Sequence, residues 1–165
     1  MPNWLSGGGA CCENPLVTYM VIPSISEFMP MVVTSEYGMR WQPILHIYRL
    51  HAGLDLRDYC GEPVYAGRAG TVRWAMFRSG YGNQVMVDHG WVNGTSLMSS
   101  YSHMIRFVVS AGQRVSAGQV IGYAGMTGGD STGCHLHFEV HINGVPYNPM
   151  GWFGGSKTVV PCWGQ

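Results

Sequence analysis

The sequence predicts an all-β domain of antiparallel strands, and three observations carry that reading. Glycine and proline are abundant and scattered, 24 and 9 in 165 residues, as in folds built of many short strands and tight turns. From about residue 31 onward, short apolar runs alternate with turn signals. No stretch of ten or more residues repeats its apolar positions with a 3.6-residue period between helix caps. The length suits one compact domain with a real core, not two.

Taken in order, residues 1–30, with "SGGGACCENP" inside them, read as an N-terminal extension. The domain proper is expected over residues 31–153. It opens with "MVVTSEYGMRWQPI", and "GEPVYA", "AGTVRWAMF", "GNQVMVDHG", "SLMSSYSHM", "QRVSAGQVIGYAG" and "HLHFEVHING" follow as strands or hairpins. A tail, residues 154–165, is expected to pack back over the body, with Cys162 tied to Cys11 or Cys12. "GQRVSAGQVIGYAG" resembles the hairpin of lipoyl- and biotinyl-type domains, which carry their cofactor on a turn lysine. The single lysine here, Lys157, lies in the tail, so a swinging-arm carrier is excluded.

Nine basic residues balance nine acidic ones, which leaves no electrostatic footprint for nucleic acid or an anionic membrane. The most apolar early stretch, "YMVIPSISEFMPMVV", is cut by Pro23, Glu27 and Pro30 and cannot span a bilayer. No signal peptide is visible, so export is arranged elsewhere or the chain is a mature or excised piece. Five cysteines without a C-x-x-C argue against a zinc ribbon or a thioredoxin-like motif. They point instead to an oxidising destination, with two bridges and one odd thiol.

The chemistry concentrates in three short segments. In "GCHLHFEVH", residues 133–141, His135, His137, Glu139 and His141 fall on one face of a strand and Leu136, Phe138, Val140 and Ile142 on the other. A solvated face collects such residues by chance; a divalent cation collects them for cause. "HAGLD" puts His51 and Asp55 four apart, a spacing that converges on one side of a strand or a helical turn. Ala52 and Gly53 between them allow the backbone to come close to a crowded site. "YSHM" adds His103, with Tyr101 two residues earlier on the same side if the segment is a strand. A catalytic zinc takes three protein ligands from His, Asp, Glu and Cys and keeps one position for water.

The flanks carry a resemblance. "TSEYGMR", "PI", "HAGLDL", "GEPVYAGRAGTV", "GYGNQVMVDHG", "YSHM" and "GQRVSAGQVIGYAGMTGGDSTGCHLHFEVHINGVPYNPM", in this order and spacing, are similar to the lysostaphin-type zinc endopeptidases that cut bacterial peptidoglycan peptides. The similarity runs from about residue 34 to residue 150. It implies a fold related to the lipoyl/biotinyl hybrid barrel, with one catalytic Zn2+ held by His51, Asp55 and His137. It makes His103 and His135 the catalytic histidines on the open side, working on a zinc-bound water. They replace the Glu of H-E-x-x-H, a motif this chain lacks.

Tyr101 is a candidate oxyanion donor, the rival reading being a core tyrosine with its hydroxyl at the rim, and the resemblance puts Arg40 where the family has an arginine near the site, the rival reading being a surface salt bridge. Gln42 stands where many relatives carry a histidine, and "GWVNGTSLMSS" looks long enough to form a distinctive groove wall. Glu139 is expected to support the site, His141 to be exposed, and His46 and His89 to be structural. Convergence of both motifs on one zinc would bring Cys60 and Cys134 together as a disulfide; the rival reading is two free, buried thiols.

The implied function is a zinc metallo-endopeptidase acting on peptide stems or cross-bridges of the bacterial wall. The alternative is a non-catalytic wall-binding, regulatory or virion module on the same fold. Such relatives as a rule lack zinc ligands, whereas all of them are present here. A structural zinc clamp would need a fourth protein ligand. The expected partner is a peptidoglycan peptide, with no nucleic acid and no membrane insertion. The expected state is a monomer, secreted or phage-borne as a virion component or endolysin. The bond cut, in glycine bridges or in D-alanyl–diamino-acid links, stays open.

Overall fold

The computed structural model of the chain describes residues 29–30, 32–42, 45–92, 94–128, 133–152 and 158–159. Among these, the regular elements are strands, apart from a 3-10 turn at Pro149–Trp152. They are β1 (Val32–Ser35), β2 (Gly38–Gln42), β3 (Ile47–His51), β4 (Leu54–Arg57), β5 (Pro63–Tyr65), β6 (Gly70–Arg78) and β7 (Gly82–Val92). Then follow β8 (Thr95–Met104), β9 (Arg106–Phe107), β10 (Arg114–Val115), β11 (Val120–Tyr123), β12 (His135–Ile142), β13 (Val145–Tyr147) and β14 (Thr158–Val159). The all-β antiparallel expectation holds. Among the described residues the one parallel pairing is β1 with β14, which lays two tail residues alongside the first strand. Cys11, Cys12 and Cys162 lie outside the described residues.

The main sheet runs β10-β6-β7-β8-β12-β4-β1-β14, with β13 added on β12. The histidine strand β12 is therefore flanked by β8 and β4, the strands that carry the other two motifs. Alternation drives the arrangement: Leu136, Phe138 and Val140 of β12 and Leu54 and Leu56 of β4 enter the core with Val33, Val85, Val87 and Leu97. Burial of this kind contributes about 25 cal/mol per Å² of apolar surface. The intervening residues of β12 and β4 are thereby turned to the opposite face, where the polar cluster forms.

Gly53 makes the crossing possible. A Cβ there would stand 2.3 Å from the Phe138 carbonyl oxygen and 2.7 Å from Glu139 Cγ, so only glycine lets the β3–β4 connection pass over β12. Cys60 and Cys134 form a disulfide, with their Cα atoms 5.2 Å apart across 74 residues of sequence. It ties the exit of β4 to the entry of β12. In the chain-entropy picture a closure of that length stabilises by on the order of 4 kcal/mol.

One expectation fails on chain direction. "GWVNGTSLMSS" does not wall the groove: it forms the tip of the β7–β8 hairpin, where Val92 pairs with Thr95. His103 lies at the other end of β8, about 26 Å away at 3.3 Å per residue. Trp91, at that tip, is 77% exposed.

A candidate metal centre

Register places the cluster. On β12 and β4, His137 sits opposite Asp55, and on the other side His137 faces Ser102 of β8. His51 ends β3 four residues before Asp55. Asp55 Oδ1 lies 2.9 Å from His137 Nδ1 and 3.3 Å from His51 Nε2, and the three ligating atoms fall within 4.8 Å of one another.

The outer nitrogens decide what the inner ones are. His51 Nδ1 is 2.8 Å from the Glu36 carbonyl, which can only accept, so Nδ1 carries the hydrogen and donates it. His137 Nε2 likewise donates to Glu139 Oε2 at 2.7 Å. Two lone-pair nitrogens are then left facing one carboxylate oxygen. Three acceptors turned on each other are reconciled by a shared proton or by a cation. Two neutral imidazoles and a carboxylate form a donor set that suits zinc, and Glu139 behind His137 is the kind of carboxylate that orients a ligating histidine.

The electrostatics agree. Burial alone would raise the Asp55 carboxyl, but with no metal bound a proton shared with His137 and His51, and the charge it brings, holds it well below the usual carboxylate range. Burial opposes charge on His137, yet Asp55 and Glu139 outweigh that and lift it to about 9. A metal ion entering here would displace that proton. Glu139 is buried and accepts from both His137 and His141; against the upward push of burial, these bonds hold it at about 2. His141 was expected to be exposed. It is instead half-buried, because Nε2 donates to Glu139 Oε1 at 2.7 Å.

His103 and His135 complete the cluster, with ring centroids 4.8 Å apart. His103 has φ +64°, uncommon for a residue with a side chain, at the point where the β7–β8 register slips between Asn83 and Val85. Its backbone N–H donates to the Tyr81 carbonyl at 2.8 Å and its Nδ1–H to the Thr127 carbonyl at 2.7 Å. Nε2 is left as the acceptor. Burial, with His135 and His137 nearby, pushes His103 below the usual imidazole value despite the Thr127 bond. His135 donates Nδ1–H to the Gly133 carbonyl at 3.0 Å, and its Nε2 stands 3.5 Å from Asp55 Oδ1.

The bulge at His103 also decides between the two readings of Tyr101, in favour of the core tyrosine and against the oxyanion donor. Positive φ turns His103 toward the cluster while Tyr101 stays in regular alternation, fully buried and packed 5.3 Å from Phe138 on the core face. Its hydroxyl accepts from Gly67 N–H at 2.9 Å and donates to Ser99 Oγ at 2.8 Å. Ser99 donates on to His89 Nε2, and His89 Nδ1–H to the Ala69 carbonyl. No proton of this chain is left for an oxyanion. Burial lowers His89 to about 4, so it is a neutral structural link.

The tyrosine at the site is Tyr81, which sequence reasoning passed over although "GYGNQV" was among the matching segments. Its ring lies 6.0 Å from that of His137, and its hydroxyl hydrogen-bonds Glu139. Gly82 fixes its place, since φ is +68° and a Cβ would stand 2.4 Å from the Thr127 backbone.

Arg40 lines the groove and is braced from behind, its Nη2 bonded to Ser35 Oγ and to the Glu36 carbonyl. His46 is an exposed turn residue edge-on to Trp41 at 5.9 Å. The side chain of Gln42 lies outside the description. The groove, about 620 Å³, opens between the β2–β3 hairpin and the turn at residues 79–81, with the five clustered residues on its floor.

An all-β scaffold with an open His–Asp–His centre on its polar face is the architecture of a metallopeptidase. The chain belongs to Peptidase family M23, whose model matches residues 49–149. The DD-carboxypeptidase/endopeptidase Mpg of Neisseria meningitidis is 43% identical over 118 residues, covering 72% of this chain and 26% of that protein. The chain thus spans about a quarter of the length of this curated relative. A zinc containing peptidase from Vibrio cholerae has a similar structure, with a TM-score of 0.66, 34% identity and coverage of 72% of this chain and 35% of that one. The catalytic domain of lysostaphin from Staphylococcus simulans gives 0.55 at 34% identity, over 61% of this chain and 77% of that one.

Proposed function

We propose that the chain is the zinc endopeptidase domain of a peptidoglycan hydrolase, with His51, Asp55 and His137 as ligands and His103 and His135 as the proton-handling pair. One observation carries the reading: two imidazole lone pairs and one carboxylate oxygen converge, and every outward N–H is already committed. Zinc in that position supplies Lewis-acid polarisation of a carbonyl and acidification of water at neutral pH. The protein supplies the rest. Glu139 and the Glu36 carbonyl fix the tautomers of the ligating rings. Thr127 and Gly133 do the same for His103 and His135, each left with Nε2 as its acceptor. One of the pair takes a proton at attack, and a proton is returned to the leaving amine from the same face.

Residues 31–153 are then the catalytic unit, acting as a monomer on wall peptides. The Cys60–Cys134 bridge suits delivery to an oxidising compartment, by secretion or on a phage particle. The test is release of new amino groups from purified peptidoglycan by zinc-loaded protein. Release that a chelator stops and zinc restores is the expected outcome. No release from walls of several chemotypes would leave a binding module in its place.

A further inference from the structure

The β2–β3 hairpin carries a second feature of the groove. Its register pairs Gly38 with His51 and Arg40 with Arg49. Direct partners and residues two apart share a face of a ribbon, so Arg40 and Arg49 lie on the same side as His51. At about 3.3 Å per residue, Arg49 is roughly 7 Å along the strand from that ligand. Both arginines line the groove.

The two differ in what holds them. Arg40 is braced by Ser35 and Glu36. The side chain of Arg49 makes no hydrogen bond, ion pair or ring contact with any described residue, and its strand is exposed along nearly its whole length. The groove offers it no counter-charge of its own, because Asp55 is engaged by His51 and His137, and Glu139 by His137 and His141. A planar fork of five donors, placed one residue pair from the reacting centre and left unneutralised, suits bidentate recognition of an oxyanion, and the oxyanion that a wall peptide offers is a carboxylate.

We propose that Arg49 is the anchor of a carboxylate subsite, so that the peptide selected carries a free carboxylate within about two residues of the scissile bond, an extended chain advancing about 3.3–3.6 Å per residue. The inference rests on the hydrolase reading for its choice of wall peptides, and it narrows that choice. Stem peptides bear free carboxylates on their γ-linked glutamate and diamino acid. Glycine bridges bear none along their length. The site is thus built for acidic stems.

The test separates this idea from the hydrolase reading. A stem tetrapeptide of L-alanine, γ-linked D-glutamate, diaminopimelate and D-alanine, and its fully amidated twin, are titrated against zinc-loaded protein followed by NMR. Cleavage of the corresponding cross-linked dimers is measured alongside. The wild type binds the free acid at least about tenfold more tightly than the amide, the discrimination expected of a charge-assisted pair. Arg49→Gln brings that ratio to within about twofold, Arg49→Lys retains part of it, and Arg49→Glu reverses it. The proposal falls if the wild type binds both twins alike, or if Arg49→Gln weakens both equally. A ratio that persists with no dimer cut upholds the subsite and sinks the hydrolase. Cleavage of both dimers at one rate does the reverse.

Discussion

The two walls of the groove are built on opposite rules. On the sheet side, His137 and Glu139 are buried, each ring of the cluster has a fixed hydrogen-bond partner, and the disulfide pins the entry to the strand. On the hairpin side, Met39, Trp41, Tyr48 and Leu50 stand exposed and Arg49 projects without a partner among the described residues. Chemistry needs atoms held to within about half an ångström, which a packed sheet provides. Selection of a ligand needs only reach and charge, which an exposed ribbon provides. Substitutions on the first wall should therefore change turnover or metal affinity, and those on the second, apart from the ligand His51 at the end of β3, should change which peptide is taken.

The largest expected effect is on the sheet side. His103→Ala and His135→Ala should each keep the metal and lower kcat by about 10²–10⁴-fold, the usual worth of a positioned acid or base. Turnover and metal content are measured on the same preparation. If His135→Ala loses zinc while His137→Ala keeps it, the two roles on β12 are exchanged.

Glu139→Gln should be smaller. It removes the charge that receives His137, His141 and Tyr81, and zinc affinity should fall by about 10–100-fold, read by competition with a chromophoric chelator. An unchanged affinity would mean that strand geometry alone orients His137. The smallest effect on turnover is expected from Tyr101→Phe. It leaves Gly67 N–H and Ser99 without their partner and should cost about 1–2 kcal/mol of stability in urea unfolding, with kcat nearly unaltered. A large fall in kcat at normal stability would restore Tyr101 to the site.

Much of this is legible in the sequence. Alternation along 135–142 sorts the polar face from the core face by itself, and Gly53 between His51 and Asp55 signals a close crossing. What escaped did so for tertiary reasons. Strand periodicity groups Tyr101 with His103, and only the positive φ at His103 separates them. Tyr81 earns its place through a bond to Glu139 on a strand two positions away in the sheet, which no local pattern encodes. His141 falls on the correct face, but its burial follows from Glu139 having a second oxygen to fill. The length of the hairpin tip suggests a groove wall, but β8 must run its full length before it delivers His103.

The claim beneath all of this is that one metal ion is held by Asp55 between two imidazoles. The most direct measurement is metal content by mass spectrometry of the wild type and of Asp55→Ala, both purified with zinc present and both checked for β-sheet circular dichroism. One zinc per wild-type chain and none in the folded variant is the predicted result. A folded variant retaining zinc at the same stoichiometry, or a wild type holding none, would contradict it.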